Sequence, residues 1–219
     1  MVERALDCGI VKMRFVDLSH PISNLMSTYP TDPNVLIVKE KSIERDNTLL
    51  HSFKMGTHTG THLDAPAHII PDGKTVDLFP LSKFAGTAIK VNKNSYKKLE
   101  LASGDINGVL YDSGWYKNFN DPKTFYGPNR PIIPNELIDE LINMKINFFG
   151  CDLPSVDISG SKEKPIHNAL LQKNIIIYES LTNLDKLPLL ENFQFYGFPI
   201  SFKMLEASPV RAVSCLKHK

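Results

Sequence analysis

The chain has 219 residues, 42% of them apolar and 22% charged, which fits one globular domain long enough to bury a single core. Its 25 basic and 24 acidic residues leave a formal net charge of +1, so no strong field draws it to nucleic acid or to an anionic membrane. No apolar run approaches the roughly 20 residues of a membrane span, and Glu3, Arg4 and Asp7 interrupt any signal-peptide core.

In chain order, residues 1–13 read as an N-terminal extension of a domain spanning 1–219. The first strand candidate is Met13 to Leu18. Pro21, Pro30 and Pro33 then punctuate a loop, with Asp32 and Asn34 beside them. Val35 to Ser42 alternates as a strand, and Leu50 to Met55 is a second, running straight into a cluster of histidines. Thr87 to Val91 and Gly108 to Tyr111 are short β-like runs, and Lys93, Lys97 and Lys98 read as a solvated helix face. The clearest helix starts near Pro134, because Leu137, Ile138, Leu141, Ile142 and Lys145 keep helical spacing and proline suits a first turn. Ile146 to Cys151 is a compact apolar strand ending at Asp152. Pro165 to Gln172 suits a short helix, Asn174 to Tyr178 a strand, and Ala212 to Cys215 a last strand. More strands than helices, with both present, predicts an α/β or α+β domain around a mixed sheet and leaves strand order open.

Cys8, Cys151 and Cys215 are scattered and form no CxxC pair, so a reducing cytoplasm is expected and no disulfide framework. Cys151 follows Phe148-Phe149-Gly150 and reads as buried.

Residues 58–68 read His58-Thr59-Gly60-Thr61-His62-Leu63-Asp64-Ala65-Pro66-Ala67-His68. Three of the seven histidines and one aspartate fall in this segment. Imidazole nitrogen and carboxylate oxygen are ligands for borderline divalent metals such as zinc or manganese. The four-residue spacing of His58 and His62 fits one helix face, but Gly60, two threonines and Pro66 argue for a tight loop instead. Asp64 can complete a facial group with the two histidines, leaving positions for water and substrate. His68 is either a further ligand or an acid/base facing the metal. Downstream, His167 and Glu179 are the candidates for a second ion. Glu179 ends an apolar run, where a buried carboxylate needs a partner.

These residues carry a resemblance. The segment His58 to His68 matches H-x-G-T-H-x-D-x-P-x-H, the signature of the cyclase family of metal-dependent hydrolases, which includes the bacterial kynurenine formamidases. Asp17-Leu18-Ser19-His20-Pro21, Tyr29-Pro30-Thr31-Asp32-Pro33 and Asp72-Gly73-Lys74-Thr75-Val76-Asp77 resemble further blocks of that family. So do Ser113-Gly114-Trp115, Asp152-Leu153-Pro154-Ser155-Val156-Asp157, His167-Asn168-Ala169-Leu170-Leu171, Glu179-Ser180-Leu181-Thr182-Asn183-Leu184 and Ser208-Pro209-Val210-Arg211-Ala212.

The resemblance implies a swivelling β/β/α, cyclase-like fold with mixed β-sheets and flanking helices, assembled as a homodimer or homotetramer. It implies that His58, His62 and Asp64 bind one divalent ion, zinc or manganese. Asp64 and Glu179 would be shared with a second ion bound by His167, and His68 would be the general acid/base. Tyr29 and Trp115, from their places in the matched blocks, are expected to wall a small-molecule substrate. Tyr29 stands where kynurenine formamidases carry tryptophan, and Asp112 where they carry arginine. The expected activity is hydrolysis of an amide-type C–N bond, with the formamide of N-formylkynurenine, a step of tryptophan catabolism, as the leading substrate. The alternatives are another amide, as in isatin-hydrolase-like relatives, and a non-catalytic metal-binding or structural subunit.

Overall fold

The computed structural model describes residues 6–7, 12–101 and 104–217. Most of the expected N-terminal extension, and Cys8 with it, lies outside them. Strands are β1 (Leu6–Asp7), β2 (Lys12–Asp17), β3 (Leu36–Lys41), β4 (Leu50–Lys54), β5 (His62–Asp64), β6 (Ala85–Val91), β7 (Gly108–Tyr111), β8 (Phe148–Cys151), β9 (Ile176–Glu179), β10 (Asn192–Tyr196), β11 (Ala207–Pro209) and β12 (Val213–Lys217). Helices are α1 (Ile43–Asp46), α2 (Pro122–Phe125), α3 (Asn135–Asn143) and α4 (Pro165–Leu171).

Ten strands form one mixed sheet in the order β1-β2-β12-β10-β6-β7-β8-β9-β5-β11. The central run β6-β7-β8-β9 is parallel, and the flanking pairs are antiparallel. β3 and β4 pair only with each other, as a separate hairpin.

Side-chain alternation explains why the central strands read as unbroken apolar runs. Val109, Tyr111, Phe149, Cys151 and Ile177 face one core with α3 and α4. Their neighbours Leu110, Phe148, Ile176 and Tyr178 face a second core with Leu63, Ala88 and Phe195. A strand covered on both faces has no polar side to show. Gly108 belongs to this packing, because a Cβ there would collide with the Phe148 ring.

α3 has only nine residues, and an isolated helix that short is marginal in water. Leu137, Ile138 and Leu141 bury one face of it against the sheet. At about 1.5–3 kcal/mol per fully buried side chain, that contact outweighs helix propensity. Pro134 stands at the N-cap position, one residue before the first turn in which the sequence places it.

The α/β fold class is borne out, and most expected elements appear within a few residues of their expected bounds. The histidine cluster is a correction. It is not one tight loop: His58 lies in a turn, whereas His62, Leu63 and Asp64 form a fully buried strand between β9 and the edge strand β11. Gly60, at φ +62, makes the turn between the two. β10 and β11 were not expected from the sequence.

Candidate metal centre

β5 pairs antiparallel with β9, with His62 opposite Glu179 and Asp64 opposite Ile177. Directly opposed residues share a face, and so do residues two apart along a strand. His62, Asp64 and Glu179 therefore emerge together on the α3–α4 side of the sheet, while Leu63 points into the other core. α4 brings His167 onto this face, and a short 3-10 turn, Pro66–His68, returns His68 to it. The sequence-predicted ligands thus converge, although His58 and His167 are 109 positions apart.

His62 Nε2 lies 3.5 Å from Asp64 Oδ1 and 3.5 Å from Glu179 Oε2. His167 Nε2 lies 3.5 Å from Asp64 Oδ2 and 3.3 Å from Glu179 Oε1. His58 Nδ1 is 2.8 Å from Asp64 Oδ1. Two triads centre on Asp64: His58 with His68, and His62 with Glu179, each with its ligand atoms within 4.8 Å of one another. His68 thus belongs to one triad, with its ring 4.4 Å from that of His58 and 5.5 Å from that of His167.

The test of metal fit is what these atoms do without an ion. Asp64 Oδ1, Asp64 Oδ2 and His62 Nε2 are all buried and make no hydrogen bond among the described residues. The close neighbour of Asp64 is the His58 ring, with Nδ1 2.8 Å from Oδ1 as an ion-pair contact. Native proteins rarely leave buried polar atoms unsatisfied, and a carboxylate with both oxygens orphaned is costly unless a cation sits between its neighbours. The residues present fit a divalent ion.

The outer contacts fix each ligand. His62 Nδ1 lies 2.9 Å from Gly60 O, and His167 Nδ1 lies 2.6 Å from Asp157 Oδ2, so each ring donates from Nδ1 and turns Nε2 inward. Asp157 also accepts from the backbone N–H groups of Ile166 and His167 at the start of α4. Val156 N–H donates to Glu179 Oε1 at 2.8 Å. Glu206, just before β11, lies 3.5 Å from His58 Nε2 and accepts from the Thr57 hydroxyl at 2.6 Å.

Charge follows from this geometry. Burial opposes a charged His58, but Asp64, Glu206 and Glu179 together outweigh it and push the imidazole up to about 10. Burial likewise opposes a charged Asp64, and the His58 and His62 imidazoles hold its carboxyl well below the usual range. His167 is raised against its own burial, chiefly by Asp157. The same carboxylates that draw protons onto these rings would draw a metal cation between them. His68 is the exception: burial lowers it to about 4, although Asp64 pulls the other way. Its Nε2 lies 3.1 Å from Lys164 Nζ, and Lys164 itself takes a left-handed backbone (φ 44, ψ 58) just before α4.

The centre opens on a cavity of about 320 Å³ lined by Tyr29, Tyr126, Arg130, Ser155, Lys164 and the histidines. Tyr29 and Tyr126 meet edge to face at 5.8 Å. Trp115 does not line this cavity, which corrects the expected aromatic wall. Its Nε1–H donates to Phe125 O at 3.1 Å, and its ring packs against the α3–α4 core. Tyr126 takes the place expected of it. Sequence reasoning also missed Tyr126, Arg130, Asp157, Lys164 and Glu206 as site residues. For Asp157 a signal existed, because it closes a block that resembles the family.

The Cyclase family model, described as "Putative cyclase", matches residues 16–158. The kynurenine formamidase of Geobacillus thermodenitrificans is 30% identical over 206 residues, covering 90% of this chain and 95% of the relative. That of Salinibacter ruber is 28% identical over 207 residues, covering 92% and 97%. An isatin hydrolase solved with the product analogue thioisatinate superposes with a TM-score of 0.82 at 24% identity, covering 94% of this chain and 93% of that one. Isatin hydrolase A from Labrenzia aggregata gives 0.79 at 23%, covering 94% of each chain. The two superpositions establish the fold; the family match and the relatives, together with the ligand geometry around Asp64, establish that this chain belongs to the cyclase family, as one of its hydrolases.

Proposed function

We propose that this enzyme hydrolyses an aryl formamide, N-formylkynurenine to kynurenine and formate, at a centre of one or two divalent ions. The observation that carries the reading is the set of orphaned buried atoms, Asp64 Oδ1, Asp64 Oδ2 and His62 Nε2, beside a cavity whose wall is the Tyr29–Tyr126 pair. His58, His62 and Asp64 would hold one ion; Asp64, Glu179 and His167 would hold a second. Nitrogen and carboxylate donors suit zinc first and manganese second. Such an ion supplies a Lewis acid for the carbonyl and lowers the pKa of a bound water toward ~7.

The chain's own residues do the rest. Tyr29 and Tyr126 present ring faces and edges to an aromatic group. His68, neutral at pH 7, accepts at Nε2 from the Lys164 ammonium and so carries its proton on Nδ1. It delivers that proton to the departing aniline nitrogen as Nε2 takes one from Lys164, and the proton given up by the attacking water returns the His68–Lys164 pair to its starting state. Asp157 and Gly60 keep His167 and His62 in one tautomer throughout.

The β3–β4 hairpin exposes Leu36, Val38, Leu50 and Phe53. A second copy covering it would give the homodimer, or half of a homotetramer, proposed for the assembly. The cytoplasm is the proposed compartment, on the free thiols of Cys151 and Cys215.

The test is turnover by protein loaded with zinc or manganese, offered N-formylkynurenine, isatin and an aliphatic formamide. Kynurenine release with the other two slower supports the reading. Faster turnover of isatin assigns the cyclic amide instead. A fully loaded protein that turns over none of them is a metal-binding subunit and not this enzyme.

A further inference from the structure

Arg130 lies in the loop between α2 and α3 and is 6% exposed. Its loop is pinned at both ends: Phe125 is fully buried against Phe119 and Tyr126, and Ile133 sits in the core. Arg130 lines the cavity beside the centre, as Tyr126 from the same loop does. Its Nη2–H donates to the main-chain oxygen of Asp157 at 2.6 Å. Its Nη1 is buried and has no partner. Among the described residues no carboxylate forms an ion pair with it. Three acidic side chains line the same cavity: Asp157 holds His167 and the start of α4, Glu179 belongs to the ligand set, and Asp32 accepts from the Thr31 hydroxyl and forms no ion pair with Arg130.

A buried guanidinium stays charged at any physiological pH, and leaving it without an anion is costly. Structural arginines meet that cost with a carboxylate of their own; this one faces a substrate cavity instead. We infer that Arg130 binds a carboxylate of the substrate, so that the enzyme takes amides carrying a free acid group remote from the scissile bond. This rests on the hydrolase reading of the site and narrows it. The planar donor fork matches a carboxylate, and Nη1 is the donor left for it. Asp157 joins the two ends of the site, holding Arg130 by its main-chain oxygen and His167 by its side chain. The acid group is thereby fixed relative to the catalytic end of the cavity.

Binding tests this without relying on turnover. Kynurenine and its neutral carboxamide are titrated by calorimetry into zinc-loaded wild type, Arg130→Gln and Arg130→Lys. Charged hydrogen bonds of this kind correspond to roughly 10–100-fold in affinity. Wild type should favour the acid by that factor, Arg130→Gln should erase the preference, and Arg130→Lys should keep part of it. Wild type binding acid and carboxamide equally overturns the inference, whether or not either variant folds. So does an Arg130→Gln protein, zinc-loaded and folded by circular dichroism, that keeps the full preference. A separate assay on formanilide, an aryl formamide without any acid group, keeps the two readings apart. Formanilide turnover with no acid preference in binding leaves the hydrolase and removes the carboxylate clamp.

Discussion

His62 and Glu179 face each other across the antiparallel β5–β9 pair, with Nε2 and Oε2 3.5 Å apart and both side chains buried. Cross-strand register sets that meeting. Asp64, two residues along β5, shares the face with both its carboxylate oxygens unsatisfied. The sheet therefore presents a preformed ligand face, and α4 and the Pro66–His68 turn only add to it.

His62→Ala and His68→Ala should separate holding the metal from moving the proton. His62→Ala should lose both bound metal, measured by elemental analysis, and turnover. His68→Ala should keep its metal and lose turnover by roughly 10²–10⁴-fold, the usual contribution of a general acid/base. The closeness of His68 to His58 and Asp64 makes the comparison decisive. If His68→Ala strips metal as fully as His62→Ala does, His68 is a ligand.

Asp157→Ala should act through His167. The 2.6 Å contact fixes the ring with Nε2 toward Asp64 and Glu179, and losing such an outer partner typically costs 10–100-fold in metal affinity. Competition with a chelator should show that loss, with Asp157→Asn intermediate. Unchanged metal affinity in Asp157→Ala would mean that packing alone orients His167.

How much of this the sequence shows depends on which interaction carries the information. β7, β8 and β9 are legible because burial on both faces leaves only apolar residues in each run. His58, His62, Asp64 and His68 are legible because their chemistry is dense along eleven positions. β5 is not, because three residues containing a histidine and an aspartate carry no strand pattern; β9 and β11 on either side make it a strand. In β10, Phe193 and Phe195 alternate inward, but the run is only five residues long. Arg130 and Lys164 are ordinary cations in sequence, and only tertiary placement buries one and sets the other against His68.

The aromatic wall yields a paired prediction. Tyr29→Ala should raise KM for an aryl formamide with a smaller effect on kcat, since a favourable ring pair contributes about 0.5–1.5 kcal/mol to substrate and transition state alike. Tyr29→Trp should be tolerated. Trp115→Phe breaks the Nε1–H bond to Phe125 O, so it should lower thermal stability and leave KM largely unchanged. A Trp115→Phe effect confined to KM would return Trp115 to the substrate wall.

His20 offers a pH prediction that does not involve the metal ligands. Its ring stacks on Phe119 at 3.5 Å, its Nε2 is buried without a partner, and burial lowers it from 6.5 to about 4 against the pull of Asp17. The folded protein therefore keeps His20 neutral where the unfolded chain has already taken up a proton. Above pH 6.5 neither state is charged, and His20 adds no pH dependence. Between 6.5 and about 4 the unfolded state binds the extra proton, so stability falls with pH, and below about 4 the loss levels off. The full shift corresponds to at most ~3.4 kcal/mol. His20→Phe keeps an aromatic ring against Phe119 and removes the titration. Urea unfolding of metal-stripped wild type and His20→Phe at pH 7, 5.5 and 4.5 isolates the effect, because every other titrating group is common to both. Wild type should lose stability relative to the variant as pH falls; a difference that stays constant across that range would show that His20 is not held neutral in the fold.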